Sequence, residues 1–290
     1  MSHPPFFCIT RAERETTNNL LRIACKDRGI PFVEVADTCR LDQLPSGQSG
    51  LLYRVQATPR AALVEKHFLL NNHVTAFYRS PLDGFAKLDN VLEATMVHQH
   101  NGIPIPKTFY DLPSSDAVED VINTLGGLPV VIKAIGGSHG VGVMRADSIE
   151  SLRSIVDYLR SMHDEPVFML RQFINVRRSA RLIVLGDRVI SSIEYHAPDG
   201  DFRSNVGIEP TVIPKKFPQS IQDIALRAVK VLGWEFGGAD VLIDAEDHPF
   251  VSEVNLPCYF ARCQLHEGTD IAGMMIDYLL QKSASISTTV

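Results

Sequence analysis

Short apolar runs at 6–10, 31–35, 51–55 and 74–78 are separated by stretches in which apolar residues return every three or four positions, over 16–28 and 59–70. The short runs suit buried strands and the longer stretches suit amphipathic helices. The first 80 residues therefore predict strands alternating with helices, which argues for a parallel, doubly wound α/β sheet. Gly29 closes the first helix. Polar residues 79–90 read as a linker, with a domain boundary near 85, leading to a helix over 91–100 that Asn101-Gly102 ends.

The pattern then predicts a helix over 116–125, a strand over 129–134, a glycine loop, a strand over 141–145 and a helix over 148–162 with Ser148 as its N-cap. A strand over 167–174 opens a third lobe. It is followed by a hairpin, 181–185 and 188–195, whose Gly186-Asp187 turn suits type II′. A helix over 219–232, strands at 239–243 and 249–254, and a helix over 271–280 complete the chain, with a frayed polar tail from 283. The expected lobes are 1–85 (N-terminal α/β), 86–166 (central lid with a glycine flap) and 167–290 (C-terminal, with a cation site).

The two strands near the C-terminus carry the most specific chemistry. If Asp244 and Pro249 close the polar turn between them, antiparallel counting puts Asp240 opposite Glu253, where like charges repel. Alternation puts Asn255 on the face of Glu253. Two strand-edge acids facing water would explain Asp240 and Glu253 alone, but an amide at matching parity favours a hard cation, Mg²⁺ or Mn²⁺, held by Asp240, Glu253 and Asn255.

Upstream, 129–143 is a strand, a loop with Gly136, Gly137, Ser138, Gly140 and Gly142, and a second strand. It is neither a Walker A loop nor a Rossmann turn, because no Gly-Lys-Ser/Thr ends it and a strand follows it. A flexible hairpin over a polyphosphate fits, and a plain surface hairpin is the alternative. Lys133 points off its strand opposite to Ile132 and Ala134, suiting a phosphate. Arg203 and Asn205 sit in a loop from which they can meet developing anionic oxygens. Lys87 gains meaning only within the whole set. Of ten histidines, His139 alone lies in the flap; Cys258 has no histidine at a partner spacing and reads as a packed thiol.

A chain of 290 residues with 45% hydrophobic and 21% charged content is ordinary globular protein. Its net charge of -6 argues against general nucleic-acid binding. Five cysteines without zinc spacing point to reduced thiols and a cytoplasmic location, and the N-terminal apolar run is too short for a signal peptide or membrane span.

Taken in order, Lys87, the Lys133 strand with its glycine loop, Asp-Phe-Arg-Ser-Asn (201–205), Gly-Ala-Asp-Val-Leu (238–242), Glu-Val-Asn (253–255) and Gly-Thr-Asp-Ile-Ala-Gly (268–273) resemble the ATP-grasp carboxylate–amine ligases. The likeness is to the branch with the ribosomal-protein S6 glutamate ligase and the lysine-biosynthesis α-aminoadipate ligase. It implies a three-lobed α/β fold in which two antiparallel-sheet lobes clamp ATP. It further implies that backbone groups of Gln172 and Phe173, with Ile174, read the adenine, that Arg203, Ser204 and Asn205 line the phosphates, and that Asp240, Glu253 and Asn255 hold two Mg²⁺ ions, Mn²⁺ substituting. Three departures stand out: Ser179-Ala180-Arg181 where the branch has Asp-Ile-Arg beside the nucleotide, Gln172 for an acidic residue, and a bulky Leu-Pro-Cys-Tyr-Phe (256–260) after Glu-Val-Asn.

The expected reaction is attack of a carboxylate on the γ-phosphate of ATP, then displacement of phosphate by an amine. A small molecule or peptide is the expected substrate, with neither nucleic acid nor membrane as partner, and the chain is expected to be a homo-oligomer. An ATP-grasp phosphotransferase and a nucleotide-binding regulatory protein without turnover are the alternatives.

Overall fold

The computed structural model describes residues 3–11, 15–80, 83–84, 91–114, 116–134, 142–161, 167–196 and 211–287. Strands β1 (Phe6–Thr10), β2 (Phe32–Ala36), β3 (Ser49–Arg54) and β4 (His73–Thr75) form a parallel sheet in the order β2-β1-β3-β4. Helices α1 (Glu15–Asp27) and α2 (Pro59–Asn71) supply two of the crossovers. Pro59 needs no N–H in the first turn of α2, and the Thr58 hydroxyl caps it by accepting from Ala61 N.

The strand expected over 74–78 is shorter than its apolar run. Beyond Thr75 the backbone turns to another partner: Glu235 N donates to Phe77 O at 2.9 Å, Arg79 N donates to Gly233 O at 2.9 Å, and Tyr78 bridges Trp234. These contacts tie the first lobe to the third.

After α3 (Val91–His100), a second sheet is built from β5 (Thr108–Phe109), β6 (Val130–Ala134), β7 (Val143–Ala146) and β8 (Phe168–Gln172), antiparallel in the order β5-β8-β6-β7. Helices α4 (Val118–Leu125) and α5 (Ile149–Arg160) cover one face. Ser148 caps α5 as expected, in a capping box with Ser151. Strand β8, read from sequence as the opening of the third lobe, belongs instead to this sheet. Phe168 and Leu170 complete the core under α4 and α5, and an apolar strand does not declare which sheet will take it.

The third sheet contains β9 (Val176–Leu185), β10 (Arg188–His196), β11 (Thr211–Pro214), β12 (Phe236–Asp244) and β13 (Pro249–Asn255), in the order β11-β10-β9-β12-β13. Gly186 turns the β9–β10 hairpin at φ 62° while Asp187 is not among the positive-φ residues, which matches the expected turn. Leu182, Val184, Ala239 and Val241 face α6 (Gln219–Lys230), while Ile183, Leu185 and Phe236 face α7 (Ala261–Glu267) and α8 (Ile271–Ser287). Helix α8 outruns its expected end at 280. The Lys282 ammonium, which makes hydrogen bonds to Ala76 O, Tyr78 O and the Glu235 carboxylate, holds the last turns in place. Neither α7 nor β11 was expected, since each is too short for its period to show.

All five cysteines are free, with Cys8, Cys25, Cys258 and Cys263 buried and Cys39 half-buried. Burial pushes the thiols of Cys25 and Cys263 up to about 12.

Candidate functional site

One row of residues crosses four strands of the third sheet: Ile193 on β10, Arg181 on β9, Asp240 on β12 and Glu253 on β13. The expected cross-strand pair of Asp240 and Glu253 is present, but the sheet reaches it by a different route from the simple count. Nearest the turn the pairs are Ile243–Pro249, Leu242–Phe250 and Val241–Val251, one residue off the counted register. Ser252 is the extra residue, and this bulge restores Glu253 to its place opposite Asp240. Without it Glu253 would lie opposite Ala239, whose side chain is in the core beneath α6.

Each carboxylate has its own cation. Arg181 forks onto Asp240 at 2.8 and 2.6 Å, and Lys133 reaches across from β6 to Glu253 at 2.6 Å. The Asn255 amide nitrogen lies 3.3 Å from Asp240 and 3.2 Å from Glu253, donating to both. Lys133 holds the Glu253 carboxyl at about 2, against the pull of burial, so it is ionised throughout the physiological range. Burial pushes the Asp240 carboxyl above its ordinary value, although Arg181 pulls it back. Two carboxylates and an amide on one face are a hard-oxygen donor set of the kind that holds Mg²⁺. Asn255 carries the third oxygen on the same amide that now donates to both acids.

The remaining expected residues fall as follows. Gly142 sits at φ 81°, and Ala134 N donates to its carbonyl at 2.9 Å; a Cβ there would meet the Ala134 Cβ at 2.9 Å. The N–H of Gln172 donates to Lys107 O at 2.9 Å, which removes that group from any reading of a base, and its side-chain oxygen accepts from Lys107 N at 3.3 Å. The Phe173 ring lies under the Arg145 guanidinium, 4.5 Å from its centroid. Ile174 and Ser179 are buried. Arg181, expected beside a nucleotide, is committed to Asp240. Lys87, Gly136, Gly137, Ser138, His139, Gly140, Arg203, Ser204 and Asn205 lie outside the described residues.

Two further arginines were not anticipated. Arg54, buried at the C-terminal end of β3, pairs with Glu65 at 2.8 Å and donates to Gln56 O at 2.9 Å and Leu256 O at 3.4 Å. It thereby fastens the bulky segment after Asn255 to the edge of the parallel sheet where doubly wound folds bind ligands. Arg171, 5% exposed on β8, donates to Ser252 O at 3.0 Å. A single charged residue inside the run Phe168–Gln172 was the available signal.

The family described as RimK-like ATP-grasp domain matches residues 89–279. A probable alpha-L-glutamate ligase of Legionella pneumophila (strain Corby) is 33% identical over 189 residues, 64% of this chain and 61% of the relative. The match thus spans about three-fifths of that protein's length. A protein of the same description from Trichodesmium erythraeum (strain IMS101) is 31% identical over 206 residues, 70% of this chain and 67% of the relative. Among solved structures, the ATP-grasp ligase PsnB complexed with minimal precursor superposes with a TM-score of 0.73 at 16% identity, covering 97% of this chain and 99% of that one. D-alanine--D-alanine ligase from Bacillus anthracis gives 0.70 at 13% identity, covering 99% of both chains. At these identities the two structures speak to the fold, which they share with this chain.

Proposed function

Because this chain belongs to the RimK-like ATP-grasp family, we propose that it joins a carboxylate to an amine at the expense of ATP, through an acyl phosphate, releasing ADP and phosphate. The observation that carries this reading is the placement of Asp240, Glu253 and Asn255 on one face directly across from Lys133. A phosphate-binding ammonium and a cation-binding carboxylate that meet across a cleft between two sheets fit a phosphoryl transfer, in which the protein positions groups and neutralises charge.

In this reading Asp240, Glu253 and Asn255 hold Mg²⁺, as two ions that Mn²⁺ replaces. Bound there, the metal would neutralise charge on the terminal phosphates. Lys133 leaves Glu253 for a phosphate oxygen, while Arg181 keeps Asp240 oriented and ionised. We assign Lys87, Ser204 and the glycine loop, Gly142 included, to the polyphosphate, and Arg203 with Asn205 to the oxyanion of the tetrahedral species. Phe173, Ile174 and the carbonyl of Gln172 take the base, with Ser179 nearby. Arg54 and the Leu256–Cys258 stretch border the carboxylate substrate.

The relatives' description as probable alpha-L-glutamate ligases supports an α-amino acid, with glutamate first, as the amine, and a small molecule or peptide as the carboxylate. We place the protein in the cytoplasm as a homo-oligomer acting on neither nucleic acid nor membrane; among the described residues no helix is long and apolar enough to cross a membrane. The deciding experiment is ADP release across a matrix of amino acids and dipeptides, with mass spectrometry of the product. A condensed product with ADP and phosphate is expected. AMP and pyrophosphate would overturn the acyl-phosphate route, and a phosphorylated acceptor as end product would make the chain a phosphotransferase.

A further inference from the structure

Arg171 reaches from the second sheet to the backbone of the bulge in β13, where Lys133 meets only the Glu253 side chain. Arg171 is 5% exposed, yet among the described residues only its Nη1 is engaged, on Ser252 O at 3.0 Å. Nε and Nη2 are buried without a partner among the described residues. A buried guanidinium held by one neutral carbonyl is a poor choice for stability, since an apolar side chain of similar volume would avoid the desolvation cost. Such an exception calls for another explanation. The carbonyl it grips belongs to the extra residue that puts Glu253, rather than Ser252, opposite Asp240. A second tie on the same strand, Val251 N to Pro104 O at 2.7 Å, fixes the residue just before the bulge.

We infer that Arg171 is a positioning residue for the cation edge: by holding the Ser252 carbonyl it keeps the β13 bulge in place, and with it Glu253 and Asn255 on the face of Asp240. Arg171 itself touches neither acid. Its charge stands near Glu253 without a contact between them. The second sheet thereby sets the register of an edge strand in the third, so the two walls of the cleft are joined at the element that carries the metal ligands. The inference rests on the proposed Mg²⁺ and nucleotide site.

The test uses the full chain with ADP as probe, titrating Mg²⁺ by calorimetry and measuring ADP affinity separately in EDTA. Arg171→Met is expected to raise the Mg²⁺ concentration needed for half-saturation by about 10–100-fold, the usual effect of losing a group that orients metal ligands. ADP affinity in EDTA should change less than about twofold, the melting temperature should stay near that of the wild type, and amide exchange over 249–255 should quicken. Arg171→Lys, which keeps one donor and the charge, should recover most of the Mg²⁺ response and decides the matter if the Met variant does not fold. Unchanged Mg²⁺ dependence in a folded variant overturns the inference. An equal loss of ADP affinity in EDTA also overturns it, by making Arg171 a nucleotide contact. A wild-type chain that binds ADP without responding to Mg²⁺ refutes the cation site itself, and the positioning role with it.

Discussion

Lys133 and Glu253 satisfy each other directly, and the proposed chemistry needs them apart. Their contact therefore competes with Mg²⁺ for Glu253. Lys133→Met should tighten binding of Mg²⁺ alone by about fivefold, the worth of a partly exposed pair near 1 kcal/mol, while weakening ATP. Calorimetric titration of each ligand separates the two effects, and Mg²⁺ binding that weakens instead would show that Lys133 orients Glu253 rather than occupying it. The same pair predicts an acid response. In the folded chain Glu253 titrates at about 2, below its ordinary 4.5, so its stabilising contribution is full above 4.5 and fades as the pH falls toward 2. Glu253→Gln should remove that part of the slope, so the melting-temperature gap between wild type and variant narrows as the solution is acidified below 4.5. A gap independent of pH would place the contribution elsewhere.

Among the elements, the Ala134–Gly142 closure of the β6–β7 hairpin is tightly constrained. A side chain at 142 must adopt φ 81° and press a Cβ against Ala134 at 2.9 Å. Gly142→Ala should cost about 1–2 kcal/mol locally, seen as faster exchange in 130–146 and a raised KM for ATP with the rest of the chain unchanged. Most strands and helices were legible because their periods run over several residues, and Ser148, Gly29 and Gly186 marked ends or turns correctly. What was not legible depends on distant partners. Nothing in Phe168–Gln172 says that its apolar residues will meet α4 and α5 instead of α6, and nothing after residue 280 says that Lys282 will find two carbonyls on the first lobe and a carboxylate on its own. The Asp240–Glu253 pairing was reached by a count that knew neither the tighter turn nor the bulge, two offsets of one residue that cancel. The Arg171 contact that holds the bulge joins two sheets, and strand patterns carry no information across sheets.

At the scale of the molecule, the first and third sheets share their apolar cores, whereas the second has its own, from Leu112 to Leu170 under α4 and α5. Polar ties to the third sheet, Lys133 to Glu253 and Arg171 to Ser252, hold that unit against the rest. Native-state hydrogen exchange should therefore show the second core opening as a separate cooperative unit of lower stability, and Mg·ADP should raise its protection toward that of the third sheet. A single global opening shared by both would mean that the polar ties couple the bodies as firmly as a shared core. The placement of the cysteines offers a handle on the first lobe alone. With four thiols sealed inside and Cys39 alone half-open beside the end of β2, the natural sequence already offers one preferred attachment point for a maleimide dye or spin label, and a probe there reports on the first lobe without a cysteine-free background having to be built.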